Sequence, residues 1–335
     1  MTMGSVAITK RSPSALVDGW IDVHAHFSPP RTADMVVAQM ERLQAGCWQV
    51  DEAPQWDAES TLAYMDRTGI QMQLLSNIPL ELGALRDSND FGVSLVEEHP
   101  TRFGLLVALP TDDPAACLAE VDRADRWRAE GFAVTSLYKG TYLSDPSLEP
   151  VWAELNRRKA VVFAHPDAYR ATMGRPDAVF EVAFQTARTF ADMLYSGVFR
   201  RYPHITFILA HCGGALPSIA GRLQLIGTER WIPNPNNVTH TEIREHLRRL
   251  YLDTAGIAPN GLASGLMMTT ADHIVYGSDC GVPCTTDATM DTNLRGILAY
   301  DGLSEEQIES IGTNALGLFP AAAARIVAVA EGQRP

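Results

Sequence analysis

His24 and His26 sit two residues apart at the end of an apolar run, DVHAH. Three further polar groups close later runs in the same manner: His165 ends VVFAH, His211 follows ITFILA, and Asp279 follows HIVYGS. Residues two apart on a strand project to the same side, so His24 and His26 can meet one ion from a single strand. Imidazole nitrogen and carboxylate oxygen suit Zn²⁺ and also accept Mn²⁺ or Fe²⁺. We therefore expect His24, His26, His165 and Asp279 to ligate one divalent cation, zinc first, with manganese as the alternative. Three imidazoles and one carboxylate leave room for a water or a substrate oxygen, which points to catalysis rather than scaffolding. A lone H-x-H pair is weak evidence, and a single His at a strand end is more often a hydrogen-bonded core residue. The weight lies in the coincidence of all these groups at corresponding positions.

That coincidence needs elements able to bring five sequence-distant groups together. Eight β-rich runs recur, at residues 21–26, 71–76, 104–109, 132–137, 161–165, 205–210, 250–253 and 273–276, each followed by a longer helix-compatible stretch. VVFAH and ITFILAH are continuously apolar, as strands of a parallel sheet buried on both faces read. DDPAACLAEVDRADRWRAEG begins with Asp and an early Pro, and SLEPVWAELNRRK spaces its apolar residues as a helix does. LSEEQIESIGTNALGLF opens with Ser304 before acidic residues and closes near Phe319. Eight such units match an α/β fold of the (β/α)8 TIM-barrel type, in which all strand C-termini open on one face. An open doubly wound sheet is the alternative, because a strand count does not reveal closure. No linker or repeat divides the chain, so we expect a flexible N-terminal arm over residues 1–18 and a single catalytic barrel over residues 19–335. Residues 29–61, the least regular long stretch after a strand, are expected over the barrel mouth.

Composition narrows the partners. The 335 residues are 46% hydrophobic and 20% charged, enough apolar volume for a large core. A net charge of −13 argues against a general affinity for nucleic acid or anionic lipid, both of which need basic patches. No stretch approaches the roughly 18 apolar residues of a membrane span, and the opening residues lack the apolar centre of a secretory signal. Cysteines at 47, 117, 212, 280 and 284 are odd in number and scattered, so reduced thiols in a cytoplasm are expected rather than a disulfide framework. A small molecule is the partner class that is left. Cys280 and Cys284 lack the second pair that a thiolate zinc site needs, and Lys139 reads as a surface cation. His99, His204, His240, His246 and His273 read as structural or solvated.

The segments IDVHAHFSPP, YLSDPSLEPVWAELNRRKAVVFAHP, SGVFRRYPHITFILAHCGGALPSIAGR and VYGSDCGVP occur in that order between residues 21 and 319. Together they resemble the decarboxylase branch of the amidohydrolase superfamily, typified by aminocarboxymuconate semialdehyde, γ-resorcylate and 6-methylsalicylate decarboxylases. The resemblance implies a metal-dependent (β/α)8 barrel with one ion on His24, His26, His165 and Asp279, zinc in most members and manganese in some. It implies that His211, in HCGGALP, is an acid/base that polarises water or holds the substrate. It also implies that Arg222 reaches a neighbouring subunit's active site, and hence a homodimer or homotetramer. The chain departs from the pattern in places: Gly214 stands where resorcylate-type members carry Glu, and no aromatic follows Asp279. No arginine within residues 29–61 matches the family's first substrate-carboxylate clamp.

The activity so implied is non-oxidative decarboxylation of a small aromatic or enoic carboxylic acid, 6-methylsalicylate or another hydroxybenzoate-like compound. The ion would act as Lewis acid and template, and Asp279 or His211 would protonate the carbon that bears the carboxylate. Phe27, Trp48 and Phe184 are expected as apolar walls for a planar substrate. The same ligands can generate a hydroxide nucleophile, so a hydrolase of a lactone or amide is the alternative, and a non-catalytic binding protein stands third.

Overall fold

The computed structural model describes residues 15–127 and 129–330. The apolar runs form seven parallel strands: β1 (Trp20–His26), β2 (Ile70–Ser76), β3 (Phe103–Ala108), β4 (Gly131–Thr135), β5 (Val161–His165), β6 (Thr206–Leu209) and β7 (Tyr251–Leu252). They pair in sequence order. After β1 come α1 (Ala33–Ala45) and α2 (Ala58–Thr68); α3 (Leu82–Glu98), α4 (Pro114–Ala124) and α5 (Glu149–Arg158) follow β2, β3 and β4. After β5 come α6 (Glu181–Tyr195) and α7 (Val198–Arg201), after β6 come α8 (Leu216–Ile226) and α9 (His240–Arg248), and after β7 comes α10 (Asn260–Met268). The chain ends with α11 (Asp287–Leu298), α12 (Glu305–Thr313), α13 (Ala315–Leu318) and α14 (Pro320–Ala330).

The cylinder is closed without an eighth regular strand, which corrects the run expected at residues 273–276. His273 ends a 3-10 turn, Ala271–His273. From there the chain bridges its neighbours at single points, Ile274 to Leu252 and Cys280 to Ala25. Val275 N–H donates to Leu252 O, and Val23 N–H to Tyr276 O, each at 2.9 Å. A side chain replaces part of the ladder: the buried Asp22 carboxylate accepts the Ser278 N–H at 3.0 Å and the Ser278 hydroxyl at 2.5 Å.

Alternation along the strands divides the core in two. Ile21, Met72, Leu106, Phe163, Ile208 and Val275 fill the barrel interior, floored by Ala315 and Phe319 around α13. Val107, Val134, Val162 and Leu209 face outward into a second cluster shared with the helices. Each such side chain removed from water contributes about 1.5–3 kcal/mol. The helix signals act where the sequence places them. Asp113 caps α4, with Pro114 opening the helix, and Ser304 with Gln307 forms the capping box of α12. Of the expected arm, residues 1–14 lie outside the described residues; Val17 is buried, and its N–H donates to Thr68 O at 3.0 Å.

Candidate metal centre

Strand pairing aims the histidines. The register between β1 and β2 shifts between Asp22 and Ala25, so Val23 packs in the barrel interior while His24 and His26 both turn toward its mouth. His165 ends β5, with Phe163 two residues below it. The Phe163 ring meets His24 edge-on, with centroids 4.9 Å apart. Asp279 arrives on the closing segment with φ of 61°, its N–H held by His24 O at 2.9 Å. One nitrogen or oxygen from each of His24, His26, His165 and Asp279 falls within 4.8 Å of the others.

The hydrogen bonds decide what this cluster can hold. His24 Nδ1 lies 2.6 Å from Asp253 Oδ2, His26 Nδ1 lies 3.3 Å from Ser76 O, and His165 Nδ1 lies 2.7 Å from Pro166 O. Each of these partners is an acceptor, so each Nδ1 carries the proton and each Nε2 keeps its lone pair. Those lone pairs face one another: the Nε2 atoms of His24 and His26 are 3.0 Å apart, and Asp279 Oδ1 stands 3.1 and 3.3 Å from them. His165 Nε2 is buried and has no hydrogen-bond partner among the described residues. Four acceptors converging with no donor between them repel one another unless a cation sits among them, and this donor set fits a divalent ion. Burial opposes charge on His24, but Asp253 and Asp279 outweigh it and push this imidazole up to about 10. Burial and the neighbouring imidazoles hold His165 well below its ordinary value.

His211 stands beside the cluster, its ring centroid 5.0 Å from that of His24 and 5.5 Å from that of His165. Its Nδ1–H is directed at Ala255 O, 3.1 Å away, which leaves Nε2 to accept or carry a proton. After β6 the chain runs through four consecutive residues of positive φ: His211 at 53°, Cys212 at 55°, Gly213 at 73° and Gly214 at 59°. This left-handed turn lifts the imidazole off the strand axis. It brings Gly214 against α6, where a Cβ would lie 2.4 Å from Ala183 O.

Above the cluster opens a cavity of about 450 Å³. His26, His165, His211 and Asp279 reach into it from below, and Phe27, Trp48 and Trp56 supply aromatic wall. Residues 29–61 lie over the mouth as expected. They also contribute two cations, Arg31 and Arg42, to the lining, the latter with its guanidinium 4.1 Å from the centre of the Tyr169 ring. The structure therefore brings Phe27 and Trp48 to the site, but it does not bring Phe184 or Arg222. Phe184 is half-exposed on α6, Arg222 is exposed on α8, and neither lines the cavity. Cys284 lies at the rim with its thiol 3.8 Å from Asp279 Oδ2, whereas Lys139 pairs with Asp112 at 3.3 Å, away from the cluster. Sequence reasoning missed Asp22 and Asp253. The one available signal was a carboxylate placed at a strand end, in YLDTAG for Asp253.

Fold and site together define a class: parallel α/β barrels with a three-histidine, one-aspartate cluster at the strand C-termini whose donors fit a divalent ion. The family profile described as Amidohydrolase matches residues 21–321. Decarboxylase yanB of Aspergillus niger is 31% identical over 90% of this chain and 87% of its own length. The 6-methylsalicylic acid decarboxylase of Penicillium expansum is 29% identical over 90% of this chain and 96% of its own. The solved structure of a dihydroxybenzoic acid decarboxylase from Polaromonas sp. JS666, with bound manganese and the inhibitor 2-nitroresorcinol, aligns with a TM-score of 0.72. It covers 90% of this chain and 97% of its own at 22% identity, a likeness of fold. The chain belongs to the amidohydrolase family, and within it to the decarboxylase branch.

Proposed function

We propose that this enzyme removes carbon dioxide, without oxidation, from a small hydroxybenzoate-like acid of the 6-methylsalicylate type, using one divalent cation held by His24, His26, His165 and Asp279. The observation that carries the reading is the convergence of four lone-pair donors at the floor of an aromatic-walled cavity. An ion held by these four residues would supply Lewis acidity and a template for the substrate carboxylate. Zinc and manganese both suit the donors, and manganese occupies the Polaromonas relative.

The chain's own residues do the rest. Phe27, Trp48 and Trp56 hold the ring and exclude water from the reacting carbon. Arg31 and Arg42 offer an anionic acid two cations in a lining that also carries Asp87, Asp167 and Asp279. Protonation of the ring carbon that bears the carboxylate interrupts aromaticity, and cleavage of the carbon–carboxylate bond restores it as carbon dioxide leaves. We assign that proton to His211 through Nε2 or to Asp279 through Oδ2, whose hydrogen-bond neighbour among the described residues is the Cys284 thiol. We further propose self-association as a homodimer or homotetramer through the face of α6 and α8 that carries Phe184 and Arg222, and a cytoplasmic location.

The test is elemental analysis of the purified protein together with carbon dioxide evolution from salicylate-like acids. About one divalent ion per chain and stoichiometric gas release are expected. Acid release from a neutral lactone or amide, with no carbon dioxide from any aromatic acid, would replace the reading with a hydrolase.

A further inference from the structure

We propose that Asp253 is a positioning residue: through one turn, residues 253–255 after β7, it sets both the ligand His24 and the acid/base His211. The proposal rests on the metal reading above. Asp253 is fully buried. Its Oδ2 lies 2.6 Å from His24 Nδ1, and its Oδ1 accepts the Ala255 N–H at 3.0 Å. The carbonyl of that same Ala255 accepts His211 Nδ1–H at 3.1 Å. A side chain and a carbonyl two residues apart therefore assign the tautomers of both imidazoles.

The turn is itself held from outside. Thr254 O accepts from Asn293 Nδ2 at 2.8 Å, and Thr254 Oγ1 accepts the Gly277 N–H at 3.1 Å. Asn293 Oδ1 accepts the N–H groups of Ile257 and Ala258 at 3.0 and 2.9 Å. Gly277 packs between the two partners, where a Cβ would lie 2.8 Å from His24 Cβ and 3.1 Å from Asp253 Cβ.

A structural role would be met by any residue of similar volume, but the role argued here requires two acceptor oxygens. Both oxygens of Asp253 face donors, so His24 keeps its proton on Nδ1 and its lone pair on Nε2. The negative charge makes that lone pair a stronger donor to a cation. An asparagine has nearly the same shape and fails chemically. With its oxygen toward His24, its NH₂ opposes the Ala255 N–H. Flipped, it donates to His24 Nδ1, moves the ring proton to Nε2 and removes the ligand lone pair.

The experiment strips the full-length protein of ions and titrates it with Zn²⁺ in competition with a chromophoric chelator. Asp253→Asn is expected to bind Zn²⁺ roughly 10–100-fold more weakly than wild type. Thr254→Val, which loosens the same turn without touching the carboxylate, is expected to keep its affinity. Equal affinity in wild type and Asp253→Asn, or an equal loss in Thr254→Val, overturns the proposal and leaves the metal reading standing. Failure of the wild type to bind any divalent ion removes the metal reading and the proposal with it. If Asp253→Asn does not fold, nitrogen-15 long-range correlation spectra of the Zn²⁺-loaded wild type decide: Nδ1–H on both His24 and His211 supports the proposal, and an Nδ1 without its proton on either defeats it.

Discussion

His165 Nε2 has no hydrogen-bond partner among the described residues, so its removal bears most directly on the ion. His165→Ala is expected to lose bound metal and turnover together, read by elemental analysis and carbon dioxide release. His211→Asn is expected to retain the metal and lose turnover by about 10²–10⁴-fold, the usual range for a general acid or base. A metal-free His211→Asn protein would make His211 a ligand instead, and one with near-normal turnover would leave the proton to Asp279. Backbone strain gathers at the same residues. Asp279, His211 and Cys212 all carry positive φ, at a cost of about 1–3 kcal/mol each. Most of this site could be read from the sequence, because each ligand ends or follows an apolar run. Asp22 and Asp253 could not, because their work is hydrogen bonding to partners 256 and 229 positions away. Arg31 and Arg42 escaped for a different reason: Arg31 lies just before α1 and Arg42 in its last turn, where a cation reads as a solvated helix charge.

The left-handed turn after β6 is the element that places His211, and Gly214 is its contact with α6. Gly214→Ala would force a Cβ to 2.4 Å from the Ala183 carbonyl while holding φ at 59°. We expect this substitution to lower stability by more than the roughly 1 kcal/mol of an ordinary glycine-to-alanine mismatch in conformation, measured by urea unfolding. Turnover should fall further than metal content, because the turn carries the acid/base and not a ligand. A variant of unchanged stability would show that α6 yields at no cost. Seven of the eight strands were legible because parallel strands buried on both faces are continuously apolar. The eighth was not, since alternation and apolarity report burial, whereas the closing segment is fastened by single bridges and by Asp22. The helix from Ser304 was also expected to run to Phe319, but it breaks at Asn314, whose Nδ2 turns aside to Ala271 O and Ile274 O at 2.9 and 2.8 Å.

At the scale of the whole molecule, Arg222 and Leu225 are exposed on α8, and Phe184 is half-exposed on the adjoining α6. If Arg222 serves a neighbouring subunit, Arg222→Ala should raise KM while leaving thermal stability near that of wild type. Size-exclusion chromatography with light scattering reads the assembly in parallel. A monomeric, fully active variant would remove the role across an interface. The barrel's closure bears on how the molecule is made. Its first two ligands emerge early in synthesis, and its last, Asp279, emerges only after the seventh strand. Asp22 waits beside them for Ser278. A nascent chain arrested before that point would hold His24, His26 and His165 without Asp279, so the four-group cluster is complete only when β1 and the closing segment have met.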